Sequence, residues 1–364
     1  MSELIEMYFN DFIKLNRGFD LPESNIVAGK YPIAASTSIK DYHKDFKVKA
    51  PCVTTGRSGS LGSVLFINQD CWPLNTTLYV KDFKGNNPKY VYYFLQTMKL
   101  ESFNCGAGVP TLNQNHLHKV KVKIHKKDEQ HRIASILYAY DDLIENNNRR
   151  IALLEQMAEQ IYKEWFVRMR FPGYEKTEFE KGVPKGWANI YFRDFIKLNR
   201  GFDLPEDKII EGIYPIVAST SIKAYHNQYK VEAPCIVTGR SGSLGTVQYV
   251  NKKAWPLNTS LYVKDFKGNS PQFVFYFLKS IKLENFNCGA GVPTLNQNHL
   301  HTLRLFCPSK EIQRKFDDLI IPIFNEVENL QLQTQTLKQT RDLLLPRLIS
   351  GKLKVNELKE FELV

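Results

Sequence analysis

Two loops with the same eight-residue sequence have the composition of a phosphate- or base-binding site. TGRSGSLG occupies residues 55–62 and returns at residues 238–245. Glycines let the backbone approach a ligand, free amides bind phosphate oxygens, and an arginine can make paired hydrogen bonds to phosphate or guanine. Arg57 and Arg240 are therefore candidates for contacts with nucleic acid. The serines beside them are Ser58, Ser60, Ser241 and Ser243.

The spacing within this loop excludes two common nucleotide-binding motifs. A P-loop requires G-x-x-x-x-G-K-[ST], and a dinucleotide site requires G-x-G-x-x-G at the start of a helix. Neither spacing occurs in TGRSGSLG, and the following SVLFIN is typical of a strand. A plain β-hairpin, in which the glycines only provide positive φ, remains an alternative. It accounts for the glycines but not for the arginine and the serines that follow it.

Further polar loops occur in both halves of the chain. LNRGFDLPE, ASTSIK-x-YH and GAGVPTLNQNHLH offer amides that suit adenine edges, cations that suit guanine or phosphate, and hydroxyls that suit phosphate. The segment TLNQNHL is equally consistent with a helix N-cap. The candidate DNA contacts in the first half are Lys14, Asn16, Arg17, Ser36, Thr37, Ser38, Lys40, Tyr42, Asn113 and Gln114. Those in the second half are Lys197, Asn199, Arg200, Ser219, Thr220, Ser221, Lys223, Tyr225, Asn296 and Gln297.

These loops lie in a segment that the chain contains twice. An offset of 183 residues aligns the two copies without a gap from Tyr8 to His118 and from Tyr191 to His301. Solenoid repeats have periods of about 20–50 residues, so this is a duplicated domain. PCVTTG, VLFIN and NTTLYVKDF predict strands, and PKYVYYFLQTMKLESF predicts an amphipathic helix after Pro88. Each copy is therefore predicted to be an α+β domain of roughly 120 residues.

A heptad pattern that predicts a long helix follows each copy. The apolar spacing of 4 and 3 residues extends over about 50 Å, at about 1.5 Å per residue, which is longer than a small domain needs. Pro322 and Pro346 predict a late start or a kink and an early end for the second helix. We expect the two helices to pair; packing of each helix only on its own domain is the alternative. The seam positions are Ile133, Leu137, Tyr140, Ile144, Asn147, Ile151, Leu154, Ala158, Ile161 and Trp165 in the first helix, and Phe316, Ile320, Ile323, Val327, Leu330, Thr334, Leu337, Arg341, Leu344 and Leu348 in the second.

The composition favours a nucleic-acid partner over a membrane or a redox role. The 364 residues carry a net charge of +11, which favours an anionic partner. No apolar run reaches the roughly 18 residues of a membrane span, and the N-terminus lacks the pattern of a signal peptide. The six cysteines contain no C-x-x-C pair and fit buried, reduced thiols in a cytoplasmic protein. No metal-binding motif occurs.

The chain as a whole resembles the specificity subunits of type I restriction–modification enzymes. The local matches are MAEQIYKEWFVRMRFPGYE at residues 157–175, PKGW at residues 184–187 and LLLPRLISGKLKV at residues 343–355. The resemblance implies two target-recognition domains that each read half of a bipartite double-stranded DNA site. It also implies an antiparallel coiled coil that docks two methyltransferase subunits, with restriction and translocase subunits joining them. No cofactor is expected on this chain; S-adenosylmethionine, ATP and Mg are expected on the partner subunits.

The repeat and the resemblance together predict the architecture. The expected fold class is α+β, with two similar globular target-recognition domains joined by two long helices that form an antiparallel coiled coil with pseudo-twofold symmetry. The predicted segments are a first recognition domain at 1–127, a central helix at 128–170, a linker at 171–186, a second recognition domain at 187–310, a C-terminal helix at 311–352 and a tail at 353–364.

The near-identity of the copies departs from the family's usual pair of unlike domains. It predicts a palindromic target in which two inverted half-sites are separated by unspecified bases. The helix length predicts roughly 10–15 base pairs between half-site centres. Asp41 is replaced by Ala224 in the second copy, so half-sites that differ at one base are the alternative.

Three other functions are weighed against DNA recognition. A thiol hydrolase would use Cys105, and Cys288 in the second copy, with His116 or His118 as base, but no third, orienting residue is evident. A coiled-coil scaffold would bind protein through its domains. The specificity subunit of a combined methylase–nuclease that cuts near its site would share the same sequence features. We therefore predict a non-catalytic DNA reader.

Overall fold

The computed structural model describes residues 4–289 and 291–358. Within this part of the chain the fold divides into two compact units. Unit 1 comprises the described parts of 1–148 and 331–364, and unit 2 comprises those of 149–330. The predicted tail, 353–364, falls outside the described residues beyond residue 358.

The first of the two repeated domains lies in unit 1 and combines short strands with short helices. The elements are β1 (Ile5–Tyr8), α1 (Phe9–Phe12), β2 (Lys14–Arg17), β3 (Tyr31–Ala34), β4 (Ile39–His43), β5 (Cys52–Gly56), β6 (Val64–Ile67), β7 (Trp72–Pro73), β8 (Thr77–Asp82), α2 (Pro88–Thr97), α3 (Gln114–His118) and β9 (Lys121–Ile124). The main sheet has the strand order β2-β8-β5-β6, a second sheet has the order β4-β3-β7, and β1 pairs with β9.

The central strand β8 separates two apolar cores because successive side chains of a strand point to opposite faces. Leu78 and Val80 pack in the larger core with Tyr90 of α2. Tyr79, between them, packs with Cys52 in a smaller core. The strands predicted from PCVTTG, VLFIN and NTTLYVKDF are confirmed. The helix predicted over PKYVYYFLQTMKLESF is confirmed for Pro88–Thr97, whereas Leu100–Phe103 forms a separate 3-10 helix.

The second repeated domain, in unit 2, contains these elements in the same order. Its elements are β12 (Ala188–Tyr191), α5 (Phe192–Phe195), β13 (Lys197–Arg200), β14 (Tyr214–Val217), β15 (Ile222–His226), β16 (Cys235–Gly239), β17 (Val247–Val250), β18 (Trp255–Pro256), β19 (Ser260–Asp265), α6 (Pro271–Ser280), α7 (Gln297–His301) and β20 (Arg304–Cys307). Its sheets have the strand orders β13-β19-β16-β17, β15-β14-β18 and β12-β20. The connector before it, predicted as a linker, carries the hairpin β10 (Phe179–Glu180) and β11 (Val183–Pro184).

The two long helices follow the predicted seams. The first is α4 (Lys127–Tyr162), which ends in a π-helical turn at Lys163–Val167, and the second is α8 (Lys310–Ile349). A short helix, α9 (Val355–Leu358), follows α8. Every predicted seam position is buried or half-buried, including the polar Asn147 and Thr334. No helix in residues 4–289 or 291–358 is long and apolar enough to cross a membrane.

The predicted late start and early end of the second helix are wrong. Helix α8 is continuous through Pro322 and Pro346. An interior proline removes a hydrogen bond and costs about 3 kcal/mol. Both prolines are exposed, so the carbonyls that lose their donor lie on the solvent side of the helix, while the seam packs on the other side. The burial of the seam outweighs the local cost of the prolines.

Helix pairing in unit 1 is antiparallel. His125, which precedes α4, lies 2.9 Å through Nε2 from the Leu348 carbonyl oxygen near the end of α8. Further along α4, the Asp141 carboxylate accepts a hydrogen bond of 2.5 Å from Arg341, which precedes Leu348. The Tyr93 hydroxyl also donates to Asp141 at 2.5 Å, and burial, with this hydrogen bond, raises the pKa of Tyr93.

The two helices are also antiparallel in unit 2, where an ion pair and aromatic rings form the contacts between them. Arg150 donates to the Glu326 carboxylate at 2.6 Å. Later in the first helix, the rings of Tyr162 and Phe166 lie 6.2 and 5.0 Å from the ring of Phe316, which precedes Glu326. The predicted antiparallel pairing of the helices is therefore confirmed within each unit, and the alternative of unpaired helices is wrong.

Candidate nucleic-acid interface

The arginine-bearing loop of the first domain is the turn of a hairpin. It joins β5 to β6, which pair as antiparallel strands. Gly59 and Gly62 have φ of +86° and +90°, which glycine adopts without strain. Gly56 is required for a different reason: a β-carbon on it would overlap the Ser60 carbonyl oxygen. The predicted hairpin is thus present, and it holds Arg57 beside its tight turn.

Replacing Gly56 with alanine is expected to open this turn, because the overlap is with backbone rather than with a flexible side chain. We expect a loss of about 1–3 kcal/mol in the free energy of unfolding, together with weaker DNA binding. Thermal unfolding and a DNA titration would measure both. Gly59→Ala is the control, because a β-carbon there meets nothing within 4 Å and only the positive φ is unfavourable. Equal effects of the two substitutions would contradict the crowding at Gly56.

The backbone of Arg57 is fixed while most of its side chain is available. Its N–H donates to the Thr76 carbonyl at 2.8 Å, and its carbonyl accepts from the Leu112 N–H at 2.8 Å. The half-buried guanidinium donates through Nη1 to the Asn75 carbonyl at 3.2 Å. A guanidinium has five N–H donors, so this single bond leaves donors for a ligand.

Loops that are far apart in the sequence meet at this arginine. Ser36 Oγ donates to the carbonyls of Thr76 and Ser58, at 2.9 and 3.2 Å. The Gly59 N–H donates to the Pro110 carbonyl at 2.9 Å. These contacts define the first loop cluster, which comprises residues 16–20, 35–38, 57–63, 74–76 and 104–113. Four of the polar loops singled out in the sequence are therefore brought together.

Arg17 joins the same network through acidic and amide groups. Its guanidinium lies 3.4 Å from Asp20 Oδ1, and that oxygen also accepts a hydrogen bond from the Asn75 side chain. Asn75 and Thr76 therefore connect the two candidate arginines. Sequence reasoning missed both residues as site residues, although the repetition of WPLNT in the two halves was a signal that could have found them.

The second domain builds an equivalent second loop cluster from residues 199–203, 218–221, 240–246, 257–259, 287–289 and 291–296. The N–H of Arg240 and the Ser219 hydroxyl both donate to the Thr259 carbonyl, at 2.8 and 2.9 Å. One detail differs: here Arg200, through Nε, donates to the Asn258 carbonyl at 3.4 Å. The corresponding carbonyl in the first domain is bonded by Arg57.

The remaining predicted contacts lie at the edge of each cluster or outside it. Lys40 and Lys223 are bonded at 2.6 Å to Glu23 and Glu206, and these hydrogen bonds lower the pKa of both carboxyl groups. Ten further side chains among the predicted contacts are exposed. They are Lys14, Thr37, Ser38, Tyr42, Ser60, Lys197, Thr220, Ser221, Tyr225 and Ser243. Asn16 and Asn199 are half-buried on β2 and β13, and Ser241 is half-buried beside Arg240.

The two asparagines predicted as DNA contacts in the GAGVPTLNQNHLH segments have structural roles. Asn113 is the N-cap of α3, and its side chain accepts from the Asn115 N–H at 2.9 Å. Asn296 caps α7 in the same way. Gln114 and Gln297 each have a buried Oε1 without a hydrogen-bond partner. The helix-cap interpretation of TLNQNHL is therefore the one that the structure shows for the two asparagines.

Cys105 and His118, one of the pairs considered for thiol catalysis, are each bonded to other groups. Cys105 Sγ donates to the Thr111 carbonyl at 3.1 Å, while His118 Nε2 accepts from the Leu15 N–H at 3.1 Å. Burial, with the nearby charge of Lys14, lowers the pKa of His118. The expectation that all six thiols are buried is wrong for Cys105 and Cys288, which are exposed because their loop follows the surface. No group of three or more potential metal ligands occurs in residues 4–289 and 291–358.

Comparisons with known proteins define the class of this chain. The family described as "Type I restriction modification DNA specificity domain" matches residues 4–156 and 184–339. The chain therefore belongs to the family of type I restriction–modification DNA specificity subunits. The resemblance noted in the sequence is confirmed.

Individual relatives agree with this assignment. The Type I restriction enzyme MjaIX specificity subunit of Methanocaldococcus jannaschii is 26% identical over 304 residues, covering 74% of this chain and 70% of the relative. The HindI specificity subunit of Haemophilus influenzae is 21% identical over 393 residues, covering 80% and 84%. The type I S subunit from M. genitalium has the same fold, with a TM-score of 0.68 and 17% identity over 96% of both chains. The α+β fold class is thereby confirmed.

Proposed function

We propose that this chain is the non-catalytic subunit that reads a bipartite, palindromic DNA site for a type I methyltransferase and its restriction partners. The observation that carries the proposal is the convergence of the same polar side chains in both domains. Arg57 and Ser36 meet at Thr76, and Arg240 and Ser219 meet at Thr259. Loops with the same chemistry favour the same bases, so we propose two identical half-sites in inverted order.

Docking of two methyltransferase subunits is supported by apolar side chains on the long helices that are not used by the seams. In unit 1, Leu143 and Leu343 are 50% and 69% exposed. In unit 2, Leu153 and Leu319 are 59% and 48% exposed. Apolar side chains of this size on a helix surface suit a protein partner. We propose that S-adenosylmethionine, ATP and Mg bind to the partner subunits, and that this chain supplies sequence recognition.

The proposal is tested by the methylation pattern that the chain directs. The full chain is co-expressed with the methyltransferase encoded beside it, and modified bases are mapped across the host genome. The expected result is one motif with two inverted, identical half-sites separated by a fixed number of unspecified bases. A map with two unrelated half-sites would contradict the palindrome. A modification pattern that does not depend on the chain would contradict the proposed function.

A further inference from the structure

A carboxylate lies against the arginine-bearing loop in each domain. In the first domain, the Glu101 carboxyl group fills the space beside Gly62 that a side chain on that glycine would occupy. In the second domain, Glu284 Oε2 lies 2.6 Å from the position of a β-carbon on Gly245. Both glycines have positive φ, at +90° and +88°. A glutamate carboxylate therefore lies at the same position beside the loop in both domains.

The position of these glutamates is set by the segment that carries them. Glu101 lies in a 3-10 helix, Leu100–Phe103, that is anchored by the buried Leu100. The Asn104 N–H donates to the Glu101 carbonyl at 3.2 Å, and the Asn104 side chain in turn accepts from the N–H groups of Gly106 and Thr111. Glu284 occupies the matching place in Leu283–Phe286. The carboxylate is thus held at the loop by ordered backbone on both sides.

Both carboxylates are available as acceptors. Within residues 4–289 and 291–358, the side chains of Glu101 and Glu284 make no hydrogen bond or ion pair, and both residues are exposed. Other acidic groups near the first loop cluster are engaged, since Asp20 bonds Arg17 and Asn75, and Glu23 bonds Lys40. The unpaired carboxylate at the arginine-bearing loop is the exception in this part of unit 1.

The chemistry of DNA limits what such a carboxylate can bind. A phosphate repels a carboxylate, so Glu101 does not favour a contact with the DNA backbone. In the major groove, the hydrogen-bond donors are the exocyclic amino groups of cytosine N4 and adenine N6. Arginine donates to guanine acceptors, so the loop with Arg57, together with Glu101 beside its Gly62, offers a donor and an acceptor to base edges.

We propose that Glu101 and Glu284 are specificity-determining residues that each accept a hydrogen bond from an exocyclic amino group in one half-site. This inference rests on the proposed function, because it requires that the two loop clusters face base edges. It assigns to each domain an acceptor that complements the arginine donor. It also explains why a basic DNA reader keeps an unpaired acid at its arginine-bearing loop in both copies.

The test compares Glu101→Ala, Glu284→Ala and the double variant, which lack a side-chain acceptor, in the full chain assembled with its methyltransferase. Bound duplexes are selected from a randomised library and sequenced. Each single variant is expected to relax one position in one half-site and leave the other half-site intact; the double variant is expected to relax the same position in both. Glu6→Ala is the matched control, since it removes the same charge and the same acceptor from an exposed residue on β1. It is expected to leave the motif unchanged.

Base analogues then identify the amino group. In the wild-type motif, cytosine is replaced by 2-pyrimidinone and adenine by purine, one position at a time, to remove the amino group alone. The wild-type complex is expected to lose roughly tenfold in affinity at one position per half-site, and Glu101→Ala is expected to be insensitive at the position in its own half-site. The analogue that weakens binding identifies the donor as the amino group of cytosine or that of adenine.

Two outcomes would overturn the inference. A uniform gain in affinity for Glu101→Ala, with the motif unchanged, would mean that the carboxylate only repels phosphates. A uniform loss with the motif unchanged would mean that it only supports the loop. Either result leaves the proposed function intact, whereas a wild-type selection that yields no motif would remove the proposed function itself.

Discussion

Arg57→Ala is expected to weaken DNA binding by about 1–3 kcal/mol and to relax one base position in one half-site. The backbone at Arg57 is held by Thr76 and Leu112, so removing the side chain leaves the loop in place. What is lost is a half-buried guanidinium that, among residues 4–289 and 291–358, is bonded only to the Asn75 carbonyl. Selection from a randomised duplex library, followed by affinity measurement at two salt concentrations, would give both quantities.

The duplication supplies the matched variants for this experiment. Arg240→Ala should relax the equivalent position in the other half-site, and the double variant should relax both. Lys14→Ala is the contrasting control: an exposed lysine that contacts phosphate should weaken binding to all sequences alike and reduce the salt dependence by about one ion. If both arginine variants keep the wild-type affinity and motif, the repeated loop is only a hairpin turn.

Phe316→Ala is expected to lower the free energy of unfolding of unit 2 by about 3–5 kcal/mol. Phe316 is fully buried, and its ring lies 5.9 Å from that of Trp165 and 5.0 Å from that of Phe166. The substitution leaves a cavity where the end of the first helix packs on the start of the second. Denaturant unfolding, with hydrogen exchange to locate the change, would measure the effect.

A control on the same helix separates burial from helix propensity. Leu319 is 48% exposed, and Leu319→Ala should change the free energy of unfolding by no more than about 0.5 kcal/mol. Ile133→Ala, at the equivalent seam position in unit 1, should cost about 2–5 kcal/mol. If Phe316→Ala cost no more than Leu319→Ala, the seam would not be the source of stability that the structure indicates.

The repeat and the helix seams could be predicted from the sequence because they depend on local order along the chain. An offset of 183 residues aligned two domains, and a spacing of 4 and 3 residues identified side chains that are all at least half-buried. The strand predicted at Cys52–Gly56 is present because β-branched residues followed by glycine favour a strand that ends in a turn. The response of a helix to prolines was not predictable in this way, because it depends on which face of the helix is packed.

The polar loops were recognised in the sequence, but their individual roles were not. Asn113 is occupied as a helix cap, and Lys40 is bonded to Glu23. Both side chains are suitable DNA contacts by type alone, and only their neighbours in the structure reveal these bonds. Asn75 was missed because its bond to Arg57 is made by the main-chain carbonyl, which does not depend on residue type.

The sequence by itself determined that this chain contains two α+β domains with the same polar loops, each followed by a long amphipathic helix, and that it resembles a DNA specificity subunit. Residue type and spacing along the chain are enough for these features. Only the tertiary structure decided that Ser36, Arg57, Thr76 and Pro110 meet in one cluster, and that Glu101 lies against Gly62. Such contacts depend on how strands and turns bring distant segments together, and a linear pattern does not contain the distance between side chains that are far apart in the chain.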